Sequence, residues 1–242
     1  ERDKMPRFFI NTIPDDEAII KGEDAKHITK SLRMTVGEKI TLCDCLGNDY
    51  LGEIAQMDSD VVRVKIMEIQ KSFAEPTVKV TLCQGLPKND KMDWIIQKSV
   101  ELGVTQIQPM ETSRCVSRPD RKAAEKKIAR WQKIALEAAK QSGRGMIPKV
   151  ETIVSFKEAV QNAEGKKILF YEGGGEKIRT LLNSEDQKAT IFIGPEGGFS
   201  QEEVQMVTES GGVPATLGPR ILRTETAPLA ALTAIMMATD NL

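Results

Sequence analysis

Two rhythms of apolar and polar positions divide the chain. Up to about residue 73 the apolar positions recur with a period near two, as in ITLCDCLGNDYLGEI (40–54) and DVVRVKIMEI (60–69). These runs are rich in β-branched residues and are parted by Gly-Asn and Asp-Ser-Asp, so they read as strands joined by turns. One segment breaks the pattern: GEDAKHITKSLRM (22–34) reads as a helix with Asp24 as its N-cap. The polar stretch KSFAEP (71–76) then ends in Pro76 and the spacing changes.

From Thr77 onward, strand-like and helix-like segments alternate. TVKVTLCQGL (77–86) is a continuous apolar run, and KMDWIIQKSVELG (91–103) places Met92, Ile95, Ile96 and Val100 on one helical face with Gly103 to close it. QIQPMET (106–112) follows as a strand. In KAAEKKIARWQKIALEAAKQSG (122–143), Ala124, Ile128, Trp131, Ala135 and Ala138 face inward, while Lys126, Arg130, Lys133 and Lys140 face outward. KKILFYE (166–172), ATIFIGP (189–195) and PATLG (214–218) alternate with further helices. Such alternation predicts a mostly parallel α/β sheet over 77–242, preceded by a small β-barrel with a helix over 5–73. Trp94, Trp131, Met206, Met236 and Met237 fall at core spacing. TAPLAALTAIMMA (226–238) is apolar almost all round and predicts a buried helix.

Charge modifies this picture at one place. The formal net charge of the 242 residues is −1, yet residues 112–149 carry eleven Lys/Arg against three Asp/Glu, a local +8 balanced by −9 elsewhere. That is either a solvated helix face or the footprint of a surface that meets phosphate. The four cysteines (Cys43, Cys45, Cys83, Cys115) form no spaced pairs and the one histidine, His27, is remote from them, so no metal site is expected. The start ERDKMPRFF is charged and lacks an apolar core, and the four residues before Met5 read as an appendage. No apolar run approaches a membrane span, and a cytoplasmic protein without membrane or metal is the expectation.

The candidate chemistry lies in two glycine-proline turns, IGPEGGFSQEEV (193–204) and LGPRILRTETAPLAAL (217–232). Both fall where a parallel strand ends, as does Glu172-Gly173-Gly174, and ligands of open parallel sheets sit beyond those ends. Glycine admits close approach of the backbone and proline stiffens it, so the turns can pinch a flat heterocycle and read it through backbone groups. Ser200 with Glu203 forms a capping box that starts a helix directly after the first turn. Neither GxGxxG in a βαβ unit nor GxxxxGK[ST] occurs. Arg220, Arg223 and Glu225 stand between a strand and the apolar helix, where charge is costly unless paired or used.

These loops resemble the signature loops of the RsmE family, the 16S ribosomal RNA (uracil-N3) methyltransferases of the SPOUT superfamily. GEDAKHITKSLRM, GLPKNDKMDWIIQKSVELGV and IALEAAKQSGR resemble further family motifs in the same order, so the resemblance spans Met5 to Leu242; Lys26 stands where the family often has a second histidine. It implies a PUA-like β-barrel that helps bind RNA, followed by an α/β SPOUT-type domain with a C-terminal trefoil knot. It also implies a homodimer, S-adenosyl-L-methionine as cofactor, and 16S ribosomal RNA or the small ribosomal subunit as partner. Cofactor binding is then expected at Glu172, Ile193, Gly194, Pro195, Glu196, Gly197, Gly198, Leu217, Gly218, Leu222, Arg223 and Ala227. Methyl transfer to uracil N3 requires loss of its imide proton. Arg223 or Arg220 is expected to stabilise the resulting charge, with Glu225 orienting the arginine or taking the proton. A plain ion pair, Arg223 to Glu225 or Arg220 to Glu196, is the simpler reading of the same residues. RNA contacts are expected at Arg7, His27, Arg33, Lys88, Lys91, Arg114, Arg118 and Arg144. Two other readings stay open: a related knotted enzyme acting on a ribose hydroxyl or another base, and a non-catalytic PUA-like RNA-binding protein.

Overall fold

The computed structural model describes residues 5–12 and 14–242 and divides into two compact units. The four residues before Met5 lie outside the described residues. The first unit comprises the described residues up to Glu75 together with Gly143–Ile147. Its strands are β1 (Arg7–Phe9), β2 (Glu17–Lys21), β3 (Lys39–Cys43), β4 (Asn48–Met57) and β5 (Val61–Lys71), in the sheet order β1-β3-β4-β5-β2. The period-two pattern does its expected work: Ala18, Ile20, Ile40, Leu42, Ile54, Val62 and Val64 are buried together. The β3–β4 turn is built by Asp44. Its carboxylate accepts the N–H groups of Leu46 (2.8 Å) and Asn48 (3.1 Å) and the Asn48 side-chain amide (2.6 Å).

The segment 22–34 is helical but not regular. One turn, α1 (Glu23–Lys26), widens into a π-type turn over His27–Ser31, where the N–H of Leu32 reaches back five residues to the carbonyl of His27 (2.9 Å). The cap is Gly22, at φ 69°, and not Asp24. Ala25 and Ile28 are both fully buried, anchoring the segment on the sheet.

Glu75 ties Gly143–Ile147 into this unit. Its carboxylate accepts the N–H groups of Gly145 (2.9 Å) and Met146 (3.0 Å) and pairs with the Arg144 guanidinium at 2.6 Å. Arg144 was expected to meet RNA; it is instead 2% exposed and engaged in this pair. Arg7 is corrected in the same way. Its guanidinium lies 2.7 Å from the fully buried Asp49 carboxylate and 3.2 Å from the Cys43 sulfur. Burial, partly countered by Arg7, pushes the Cys43 thiol up to about 12.

The second unit holds β6 (Lys79–Gly85), α2 (Lys91–Glu101), β7 (Gln106–Glu111), α3 (Arg121–Gln141), β8 (Lys149–Val150), β9 (Val154–Ser155) and α4 (Phe156–Gln161). It continues through β10 (Lys166–Phe170), β11 (Glu176–Lys177), α5 (Ile178–Leu181), β12 (Lys188–Ile193), α6 (Gln201–Glu209), β13 (Val213–Thr216) and α7 (Ala227–Ala238). Its strands pair in parallel in the order β11-β13-β10-β12-β6-β7-β8, with β9 also against β7. β6 and β12 read as unbroken apolar runs because both faces of a parallel sheet are covered; Val80, Leu82, Ile191 and Phe192 are all inaccessible. The chain moves outward in opposite directions from the β6–β12 pair, which makes their carboxyl ends the switch point of the sheet.

Helix α2 buries the expected face, Met92, Ile95, Ile96 and Val100, against α3 and α7. Trp94 departs from expectation: it is half exposed, one position off that face, with the Lys98 ammonium 5.1 Å from its ring. Trp131 is core, and its indole N–H donates to Asp93 (3.1 Å). Helix α7 is also not buried all round. Ala231, Leu232, Ile235 and Met236 face inward, whereas Met237 points outward, 63% exposed. No described helix is long and apolar enough to cross a membrane.

Replacing Glu75 by Ala removes the carboxylate that a buried guanidinium and two backbone N–H groups share, so a loss of about 3 kcal/mol is expected in denaturant unfolding. Glu164→Ala breaks an exposed pair with Lys188 and should cost distinctly less. Equal losses in the two variants would show that the Glu75 cluster does not hold the strap.

Candidate active site

The strands β10, β12 and β13 lie side by side and run the same way, so the loops that leave them emerge on one edge. The loop after β12 is shaped first by its own turn: the N–H of Gly198 closes onto the carbonyl of Pro195 (2.9 Å). Gly198 sits at φ 66°, a conformation that favours glycine, and a Cβ there would push the Glu172 carboxylate, 2.5 Å away, aside. Phe199 is then driven into the core against Phe156, with ring centroids 5.5 Å apart. The capping box forms as the sequence predicts. Ser200 accepts the Glu203 N–H (3.3 Å) and Glu203 accepts the Ser200 N–H (2.8 Å). The second oxygen of Glu203 accepts the N–H of Ser113 (2.7 Å), so the same buried carboxylate also holds the segment bearing Arg114.

The loop after β13 is fastened to the first by Thr224. Its hydroxyl donates to the Gly194 carbonyl (2.8 Å) and accepts from the Gln84 amide (3.1 Å) at the end of β6. Gln84 and Thr224 are both buried, and in water-poor surroundings such a bond is costly to leave unmade. The chain then turns into α7 through the N–H groups of Thr226 and Ala227, which donate to the Arg223 carbonyl (2.8 and 2.9 Å). Pro228 occupies the first turn, where no amide donor is required.

Between these loops lies a cleft of ≈ 540 Å³, a size suited to a nucleoside-containing ligand. All twelve residues expected to bind cofactor line it, as do Arg220 and Arg223. The lining combines backbone, apolar side chains such as Ile193, Leu217 and Leu222, and the charged side chains of Lys91, Glu172, Glu196, Arg220 and Arg223. Arg220 and Arg223 are exposed along the wall, and no carboxylate pairs with them among the described residues. Neither of the ion pairs considered from sequence forms.

The carboxylates are claimed by Lys91 instead. Its ammonium lies 3.0 Å from Glu196 and 3.1 Å from Glu225, bringing both acids to the start of α2. The Lys88 N–H adds a bond to Glu196 at 3.2 Å. Donation from its ammonium to Glu196 and then to Glu225 raises Lys91 above its ordinary range despite partial desolvation. Burial raises the Glu196 carboxyl, but its own backbone N–H, Lys91 and Lys88 outweigh that and hold it below the usual range. Two carboxylates that meet one ammonium at 3.0 and 3.1 Å would repel each other without it, and the shared cation reverses that balance.

The remaining candidates divide between the two units. Lys88 and Lys91 reach the cleft through Glu196, and Arg114 donates to the Gly197 carbonyl (2.8 Å). Arg118 is exposed and donates to the Thr112 carbonyl (3.2 Å). His27 and Arg33 are exposed on the first unit, His27 edge-on to Phe8 and Arg33 in the left-handed region at φ 53°. Arg144 is buried and Arg7 partly buried, each paired with a carboxylate of the first unit. Sequence reasoning missed Thr224 and Gln84 as the link between loops, and read Lys91 as an RNA contact only. The available signal for Lys91 was a cation at the first position of a helix, where the helix field disfavours it. No group of three or more His, Cys, Asp or Glu placed to hold a metal occurs among the described residues.

Comparison with known proteins agrees with this geometry. Residues 74–236 match a family model described as an RNA methyltransferase domain, and residues 20–67 one described as an RNA methyltransferase PUA domain. The Ribosomal RNA small subunit methyltransferase E of Bacillus subtilis (strain 168) is 38% identical over 252 residues, covering 98% of each chain. The protein of that name from Buchnera aphidicola subsp. Acyrthosiphon pisum (strain APS) is 31% identical, over 96% of this chain and 93% of its own. The crystal structure of the Neisseria gonorrhoeae enzyme of that name, bound to S-adenosyl methionine, superposes with a TM-score of 0.85 at 33% identity, over 96% of this chain and 97% of that one. A methyltransferase model matched over most of the length and a full-length relative at this identity place the chain in the ribosomal RNA small subunit methyltransferase E family.

Proposed function

We propose that the chain is an S-adenosylmethionine-dependent methyltransferase acting on N3 of a uridine in 16S ribosomal RNA. The observation that carries the reading is the cleft itself: two proline-stiffened turns, distant in sequence, close on one space through Thr224 and Gly194. The space fits the cofactor in size. Its walls offer backbone groups of residues 193–198 and 217–222 for a flat base, and apolar contacts from Ile193, Leu217 and Leu222. Glu172 and Arg223 flank it as the charged groups able to meet a ribose or an amino-acid end. When bound, S-adenosylmethionine supplies an electrophilic methyl group on a sulfonium.

The chain must do the rest. Uracil N3 is nucleophilic only after losing its proton, and the negative charge then spreads onto O2 and O4. Arg220 and Arg223, exposed on the cleft wall and not consumed by carboxylates, are suited to that charge. Glu225 is the nearby carboxylate able to accept the proton or to orient an arginine. Lys88, Arg114 and Arg118 with His27 and Arg33 are the cationic or polar groups left for RNA once Arg7 and Arg144 are set aside. The first unit, over residues 5–73 as a PUA-like barrel, supports that task, and residues 77–242 carry the catalytic SPOUT-type domain.

Two finer features belong to the same reading. The passage of residues 217–227 against Gly194 and Gln84 supports a C-terminal trefoil knot. A crystal structure whose final segment passes through no earlier loop would rule it out. The exposed Met237 of α7 and the half-exposed Trp94 of α2, on two helices that pack together, support a homodimer built on α7 and α2.

Calorimetry should show one S-adenosylmethionine per chain, and Thr224→Val should weaken it about tenfold, the worth of one buried hydrogen bond; absence of heat with the unaltered chain sinks the enzyme reading. Arg223→Ala should lower single-turnover methylation of small subunits about 100-fold or more, with N3-methyluridine identified by nucleoside mass spectrometry. Full activity, or a ribose-methylated product, would contradict the assignment. Sedimentation should show a dimer that Met237→Lys dissociates, and an unaltered monomer would count against the apolar face.

A further inference from the structure

Lys91 stands where helix physics does not want it. It is the first residue of α2, and Asp90 before it makes no side-chain cap bond. The one acid of the first turn, Asp93, is engaged with Arg130 and Trp131. A cation placed at the positive end of a helix dipole breaks a local rule, and such breaks persist where a site demands them.

Here the demand is visible. Glu196 belongs to the loop after β12 and Glu225 to the loop after β13, the two walls of the cleft. The ammonium touches both acids, at 3.0 and 3.1 Å, and is itself part of the cleft lining. The walls therefore have two ties of different kind: the buried Thr224–Gly194 hydrogen bond, and a partly exposed ion bridge whose side chains retain 32%, 29% and 22% of their accessibility. The first is local to the backbone. The second joins carboxylates that would otherwise repel, so it fixes how far apart the walls stand at that point.

We propose that Lys91 is a positioning residue for methyl transfer: by bridging Glu196 and Glu225 it sets the spacing of the two cofactor loops and fixes the Glu225 carboxylate at the edge of the site. The proposal rests on the enzyme reading for its catalytic consequence and on the structure alone for the bridge. It also reassigns Lys91 from the RNA contact expected from sequence. The bridge requires a cation and not a particular shape, so arginine should serve in its place, whereas methionine keeps the packing and removes the charge.

Hydrogen exchange on the full chain without cofactor tests the bridge directly. Lys91→Met should exchange at least about tenfold faster at the amides of Lys88 and Gly198, with Lys91→Arg close to the unaltered protein. With cofactor and small subunits, Lys91→Met should raise the KM for S-adenosylmethionine and lower kcat, each about tenfold, while the KM for RNA stays within twofold; Lys91→Arg should recover most of both. Unchanged exchange in Lys91→Met overturns the proposal. So does a variant that loses only RNA affinity, with a shallower salt dependence, since that is the signature of a phosphate contact. If Lys91→Met does not fold, Lys91→Arg decides: a folded arginine variant with normal exchange and turnover supports the bridge, and one with fast exchange and poor turnover opposes it. A chain that binds no S-adenosylmethionine removes the enzyme reading but leaves the exchange result standing.

Discussion

A hydroxyl group that gives its proton to the Gly194 carbonyl and takes one from Gln84 turns two separate loops into one cavity. The geometry follows from the sheet. β12 and β6 are neighbours, so Gly194 and Gln84 are brought together before the β13 loop arrives, and Thr224 completes the contact. Everything else at the edge is arranged around that point: the Gly198 turn, the buried Phe199, the helix start at Ser200 and the polar bridge at Lys91. A parallel sheet supplies the edge, but it takes this buried contact to make the edge a container.

Much of this was legible in the residues. The change of apolar period near Thr77, the helical faces of α2 and α3, the capping box at Ser200 and the two glycine-proline turns of the cleft follow from spacing and from the chemistry of glycine and proline, while the full lining of the cleft followed from the family resemblance. Those signals are local, or depend on strand ends that a parallel sheet must place on one side. The misreadings have a common cause as well. Arg7 and Arg144 look like surface cations in a sequence, because the acids that bury them, Asp49 and Glu75, lie 42 and 69 residues away. Lys91 likewise finds its two carboxylate partners, Glu196 and Glu225, far along the chain. Charge counts cannot separate a cation offered to phosphate from one already spent on a carboxylate.

Apolar patterning failed in the opposite sense. Trp94 and Met237 belong to helices whose inner faces were read well, yet both point outward. A helix that is apolar all round satisfies the core with one side and leaves the other uncovered, and a single chain offers nothing more to cover it. The opposing chemistries of the cleft also show here: arginines exposed at its wall, carboxylates gathered under one ammonium, and a floor of apolar side chains between them.

The strap of residues 143–147 has a bearing on synthesis. A chain emerging from its N-terminus presents Glu75 long before Gly145 and Met146 exist to receive it. The opening domain can lay down its five strands early, but its last buried cluster waits until α3 has been made. Maturation of the leading unit is therefore timed by chain made much later, and a nascent fragment that stops between residues 75 and 143 carries the Glu75 acid without the donors of Gly145 and Met146.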